Sequence, residues 1–217
     1  MSGEYGDATV DLLSRVLDAG AQHAVALMRH SAREFVPGRH DLENPLTPEG
    51  RELALRLGER LPKHLTVRAY ASPPARCMDT AELVLEGHRA GGGAVTRHRP
   101  LEGLGVFYAL DQMKMWQAMR AAGGLGTFVR AWARGAAPDD ALMPADLAAR
   151  MILRVLAARL RTPVANAQLD LCVSHDMSLY LVREVLLDEP ADGAEVRFLD
   201  ALVLYETDGE AWLTSQH

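Results

Sequence analysis

Residues 24–28, Ala-Val-Ala-Leu-Met, form an unbroken apolar run that stops at Arg29-His30. A run this short and this uniformly apolar is the pattern of a strand buried on both faces, as in a parallel sheet covered by helices. It falls far below the roughly 18 apolar residues that suggest a membrane span. Further strand-like segments follow at 67–71, 94–96 and 169–173, separated by segments of helical period. Val10, Leu13, Val16 and Leu17 share one face of a short helix ahead of the first strand. Thr47 caps a helix that starts at Pro48, carries Leu53, Leu57 and Leu61 on one face and stops at Pro62. The next helix has Cys77, Ala81, Val84 and Leu85 as its buried stripe and ends before the glycines at 91–93. Helices are also expected at 144–161 and 177–187, and strands 200–206 and 211–214 form a hairpin through Asp208-Gly209. This alternation predicts an α/β fold: a three-layer sandwich whose mainly parallel central sheet has helices on both faces. Residues 103–145, with helical stretches at 109–121 and 125–134 broken by glycines and Pro138, read as a helical insertion or lid. With no repeat or evident linker, the whole chain, 1–217, is expected to form one domain.

Composition narrows the function. Apolar residues are 48% and charged residues 24% of the 217, a globular balance rather than a disordered or membrane one. The formal charge of -6 argues against a nucleic-acid partner, since phosphate backbones are held by surplus cations. The opening Met-Ser-Gly-Glu has neither a basic start nor an apolar stretch of a secretion signal, and Cys77 and Cys172 are too few for a disulfide framework. A cytoplasmic protein is expected, without a membrane partner. Lys occurs only at positions 63 and 114 among 23 basic residues, so the cations are nearly all Arg, whose planar fork matches phosphate and carboxylate.

Ligands of open α/β sheets gather beyond the carboxyl ends of the strands. Three such ends agree in character. Arg29, His30 and Arg33 follow the first strand, Ser72 and Arg76 follow the second, and Ser174, His175 and Asp176 follow the strand at 169–173. Arg39-His40 and Arg97-His98 repeat the Arg-His pair, but only Arg29-His30 ends a run apolar enough to be a central strand. Several arginines around two imidazoles suit phosphoryl transfer, which requires neutralising a dianion and holding it in line with a nucleophile. Neighbouring Arg charge keeps His30 neutral and therefore nucleophilic, and a phosphohistidine divides the reaction into two easier displacements. Arg29 and Arg76 would clamp the equatorial oxygens, with Arg76 in the first turn of its helix, where the helix dipole also favours an anion. The plainer reading is that His30 ends a strand and His175 caps a helix.

The stretches ALMRHSAR, LTPEG, ASPPARCMDTA and VSHD, in that order between residues 24 and 176, resemble the histidine phosphatase superfamily, also called phosphoglycerate mutase-like. The resemblance implies a single histidine phosphatase domain in which His30 is phosphorylated, Arg29, Arg76 and His175 complete the phosphate pocket, and no metal or other cofactor is required. Ser31 stands where the family commonly has Gly, and Arg33 resembles an extra phosphate-binding arginine of the acid phosphatase and phytase branch. The short chain is closer to the mutase and small phosphatase branch. Two carboxyl groups compete to protonate the leaving group: Glu102, which resembles the acid of the mutase branch, and Asp176, which resembles that of the other. The ordinary alternatives are a solvated loop carboxylate and a helix N-cap.

Other features suggest packing. Cys77 and Cys172 read as small buried groups, and Trp116, Phe128 and Trp132 as side chains packing the insertion or lining a substrate mouth. His40, His88 and His98 lack zinc-ligand spacing, and the glycines at 91–93 lack the Lys-Ser or Lys-Thr of a phosphate loop. The expected activity is hydrolysis of a small phosphorylated metabolite. A phosphoglycerate-type mutase needs further cations to retain its substrate, and residues 103–145 supply few: Lys114, Arg120, Arg130 and Arg134. A non-catalytic module binding a phosphorylated ligand in the same pocket is the third reading. A homodimer stays open.

Overall fold

The computed structural model describes residues 4–36, 38 and 41–216. Strands β1 (His23–Arg29), β2 (Thr66–Ala71), β3 (Ala94–Val95), β4 (Arg99–Pro100), β5 (Gln168–Ser174), β6 (Ala201–Thr207) and β7 (Glu210–Thr214) form one sheet. Its order is β3-β2-β5-β1-β6-β7, and β4 also pairs with β2. The pairs β1–β5, β2–β5, β2–β3 and β2–β4 are parallel; β6 runs antiparallel to β1 and turns back into β7 through Asp208 and Gly209, both at positive φ. The apolar run at 24–28 is thus a central strand, with β5 and β6 as neighbours.

Its side chains serve two cores by simple alternation. Ala24, Ala26 and Met28 face one layer with α1 (Asp7–Asp18), α2 (Pro48–Arg60) and α3 (Ala75–Ala90), through Leu13, Leu53, Leu57, Cys77 and Val84. Val25 and Leu27 face the other, with α5 (Leu125–Ala133), α6 (Ala145–Leu160) and α7 (Asp176–Leu186), through Phe128, Ile152, Leu156 and Leu181. Every residue of β5 is buried, which explains why an unbroken apolar pattern rather than an alternating one marks these strands. The molecule is a three-layer α/β sandwich with a mainly parallel sheet, as the sequence predicts.

Glycines set how closely helices approach. A Cβ on Gly58 would lie 2.1 Å from the Val84 carbonyl oxygen, and one on Gly87 would lie 2.0 Å from that of Leu55, so α2 and α3 touch backbone to backbone. Gly50 similarly brings the start of α2 against Ala32, just beyond His30. Thr47 caps α2 by accepting the Gly50 N–H at 2.9 Å, and Pro48 occupies its first position.

The structure departs from the expected elements at the sheet edge and in the insertion. β4 was not expected, and β3 is shorter than the 94–96 segment. α4 (Gln112–Ala121) buries no side chain fully, only half-burying Met115, Ala118 and Met119 against the core, and Trp116, expected to pack the insertion, is 45% exposed with Arg120 stacked 4.7 Å from its ring. Phe128 and Trp132 are buried, and the Trp132 indole N–H donates to the Met143 carbonyl. Among the described residues, no helix is long and apolar enough to cross a membrane.

Candidate active site

Strand register creates the site. Arg29 pairs with Ser174, and Ala71 with Val173, so the chain leaves β1, β2 and β5 side by side at one end of the sheet. Two backbone bonds extend the register past the strands: His30 N–H to the Ser174 carbonyl at 3.0 Å, and Ser72 N–H to that of Val173 at 2.9 Å. α3 and α7 both begin at this rim, which brings Arg76 and His175 to the same place.

His30, Arg76 and His175 are almost completely buried, with 3%, 2% and 4% exposure. The Nδ1 atom of His30 lies 2.8 Å from the Ser31 carbonyl oxygen, which can only accept, so Nδ1 carries the proton and Nε2 the lone pair. Arg76 Nε–H donates to that Nε2 at 3.0 Å. On His175 the roles are reversed. Arg76 Nη2 can only donate, so Nδ1 of His175 is the acceptor at 3.4 Å, and Nε2–H donates to Ser72 Oγ at 2.9 Å. The imidazole rings meet edge to face, with centroids 5.8 Å apart. Burial, followed by the Arg76 charge, holds His30 well below the ordinary imidazole pKa and brings His175 down to about 3. Both rings are therefore neutral near pH 7.

Arg29 is anchored beside this group. Nη1 donates to the Val196 carbonyl at 2.6 Å, Nη2 pairs with Asp176 at 2.9 Å, and the guanidinium lies 4.2 Å from the Phe198 ring centroid. Each terminal nitrogen retains a second N–H for an anion. Asp176 is the first residue of α7, not its cap; its other oxygen accepts the Met177 N–H at 2.9 Å. Ser31 fits without its hydroxyl entering the pocket, because Oγ donates to the Gly50 carbonyl at 2.7 Å and the backbone N–H to Thr80 Oγ1 at 3.1 Å. Burial pushes the Cys77 thiol up to about 12, so it stays protonated beneath the site. Among the described residues, no group of three or more His, Cys, Asp or Glu could hold a metal ion.

A sequence model of the histidine phosphatase superfamily, branch 1, matches residues 25–201. The chain belongs to that superfamily. Among solved structures, the chain resembles a Bacillus anthracis phosphoglycerate mutase at 18% identity and a TM-score of 0.57, covering 91% of this chain and 94% of that one. A mutant phosphoserine phosphatase from Entamoeba histolytica, in complex with phosphoserine, gives 16% and 0.54, covering 89% and 95%. A mycobacterial hydrolase gives 18% and 0.58, covering 89% and 92%. The structural similarity over nearly the whole of each chain shows the shared phosphoglycerate mutase-like fold. No curated protein matches the sequence.

Of the residues singled out in the sequence, His30, Arg76, His175 and Ser72 form one hydrogen-bonded cluster, and Arg29 and Asp176 lie beside it as an ion pair. Arg33 joins through Asp41, whose carboxylate pairs with Arg33 at 2.6 Å and with Arg76 at 3.2 Å. Glu102 opens a 3-10 turn, Glu102–Leu104, tied to the same rim: Leu101 N–H donates to the Ala71 carbonyl at 2.8 Å, and Ser174 Oγ to that of Leu104 at 2.7 Å. Its side chain is exposed. His40 lies outside the described residues. His88 is buried, with Nε2 3.0 Å from the Leu65 carbonyl, far from ligand geometry.

Two contributors escaped sequence reasoning. Asp41 opens a single 3-10 turn, Asp41–Glu43, inside a segment whose sequence reads as irregular, so an acid there has no periodic or capping signal, although its Arg-rich surroundings hint at a partner. Phe198 lies in the segment before β6, and nothing local marks its ring as the seat of Arg29.

Proposed function

We propose that this histidine phosphatase is a metal-independent phosphomonoesterase that hydrolyses a small phosphorylated metabolite through a phosphohistidine on His30. The observation that carries the reading is the hydrogen bonding of His30: Nδ1–H donates to the Ser31 carbonyl, which leaves the lone pair on Nε2, where it accepts from Arg76 Nε at 3.0 Å, a bond it gives up to attack phosphorus. An anion bound to Arg76 would place its phosphorus within reach of Nε2. In the first displacement the Nε2–P bond forms and the P–O ester bond breaks, its electron pair leaving on the alkoxide; in the second, water takes the phosphoryl group from His30. Arg29, Arg33 and Arg76 supply the charge that neutralises the dianion, with neutral His175 oriented by Ser72 beside it.

For the leaving-group proton we favour Glu102 over Asp176. Both Asp176 oxygens are engaged, by Arg29 and by the Met177 N–H, whereas Glu102 stands exposed on a turn fixed to β2 and β5 at the rim. Hydrolysis is favoured over mutase chemistry because two of the four cations of the insertion are already held by carboxylates and a third lies against a ring. Lys114 pairs with Asp140, Arg130 with Asp192, and Arg120 stacks on Trp116.

Turnover of p-nitrophenyl phosphate in EDTA tests the reading. The parent should hydrolyse it, and His30→Ala should lose at least about a hundredfold in rate. Equal turnover by parent and variant would remove His30 from the reaction.

A further inference from the structure

Asp41 presents an anion to Arg33 and to Arg76, the arginine in contact with His30. Its Oδ1 lies 2.6 Å from Arg33, its Oδ2 lies 3.2 Å from Arg76, and its own carbonyl accepts from Arg76 Nη1 at 2.7 Å. Two oxygens of one anion bridging two guanidinium groups is also how those cations would hold two oxygens of a phosphate. Arg76 is buried and each of its nitrogens is engaged: Nε with His30, Nη1 with the Asp41 carbonyl, Nη2 with the Asp41 carboxylate and His175. A phosphate arriving opposite His30 therefore meets a carboxylate on the same cations, and two anions cannot share them without mutual repulsion. The Asp41 side chain is 50% exposed, so rotation carries its carboxylate into water, and the arriving anion takes its place beside the buried Arg76.

We propose that Asp41 is an internal competitor for the phosphate seat, which lowers the affinity of every anion alike and so sets the strength of binding an anion must reach before it gains the pocket. The inference rests on the phosphatase reading, because it takes Arg33 and Arg76 as the phosphate seat. A weak monoanion that replaces the carboxylate exchanges like for like and also loses its freedom of movement, so it stays out. A phosphomonoester dianion brings a second charge, with Arg29 close by to receive it, and displaces Asp41. Carboxylates and phosphodiesters are thereby kept from the nucleophile.

Sulfate and methanesulfonate provide the test, since both are tetrahedral and their charges of minus two and minus one are fixed near neutral pH. Calorimetric titration of the full-length parent, Asp41→Asn and Asp41→Ala should show both anions binding about tenfold tighter to each variant, by the same factor for each anion. The parent should bind sulfate more tightly than methanesulfonate. Affinities in both variants within twofold of the parent, with sulfate weakened by Arg33→Met, would overturn the competitor and leave the pocket standing. Weaker binding in both variants would make Asp41 a support for Arg76 and would also overturn the proposal. Sulfate binding to none of these proteins would overturn the anion seat itself and the proposal with it.

Discussion

Acidification from pH 7.5 to 5.0 should loosen this fold through its site histidines. His30 and His175 are buried, and both imidazoles are held below their ordinary pKa first by burial and then by the Arg76 charge. In the unfolded chain each ring takes up a proton near 6.5, while folded His175 resists until about 3. Below 6.5 the unfolded state thus binds more protons, and the equilibrium shifts toward it. The contribution to stability is fully present above 6.5 and is lost as the pH falls toward 3. Each pH unit in that window costs about 1.4 kcal/mol for a ring that stays neutral in the fold, so His175 alone removes about 2 kcal/mol by pH 5.0. His30 acts in the same direction. Urea unfolding followed by tryptophan fluorescence at the two pH values measures the loss, and His175→Asn supplies the comparison because Asn does not titrate. The parent should lose about 2 kcal/mol more than the variant on acidification. An equal loss in both would refute the claim that a buried neutral His175 resists protonation.

The close approach of α2 and α3 should make Gly58→Ala destabilising by about 2–4 kcal/mol, because the new Cβ meets a carbonyl oxygen of α3 that cannot move without its helix; chemical denaturation measures this, and a change under about 0.5 kcal/mol would contradict the packing described. Glu102→Gln should reduce turnover of an alkyl phosphate by about a hundredfold while leaving p-nitrophenyl phosphate within a few-fold, because only the poor leaving group needs its proton. Asp176→Asn, acting through the anchor of Arg29, should slow both substrates by a similar factor. The opposite pattern in steady-state kinetics would exchange the two roles.

The layered fold was legible because its strands are buried on both faces: residues 24–28 and 169–173 are apolar almost without interruption, and the helices between them keep a clear stripe. The convergence of His30, Arg76 and His175 followed from the rule that parallel strands deliver their carboxyl ends to one rim. What stayed hidden depends on long-range packing. The hydrogen bond from Ser31 to Gly50 explains how a serine is accommodated beside the imidazole, yet it joins a strand end to a helix start across an irregular loop. Trp116 reads as a packing residue by type, but α4 lies on the surface, and only the arrangement of neighbouring helices decides that. Asp41 and Phe198 acquire meaning from the arginines opposite them, which local sequence does not bring near.

The central claim is that Nε2 of His30 accepts a phosphoryl group. Rapid acid-free quenching during turnover of a 32P-labelled phosphomonoester, followed by phosphopeptide mapping, tests it most directly. The label should be stable in alkali, labile in acid and confined to the peptide containing His30. Turnover with no such label at any quench time, or label on another residue, would contradict it.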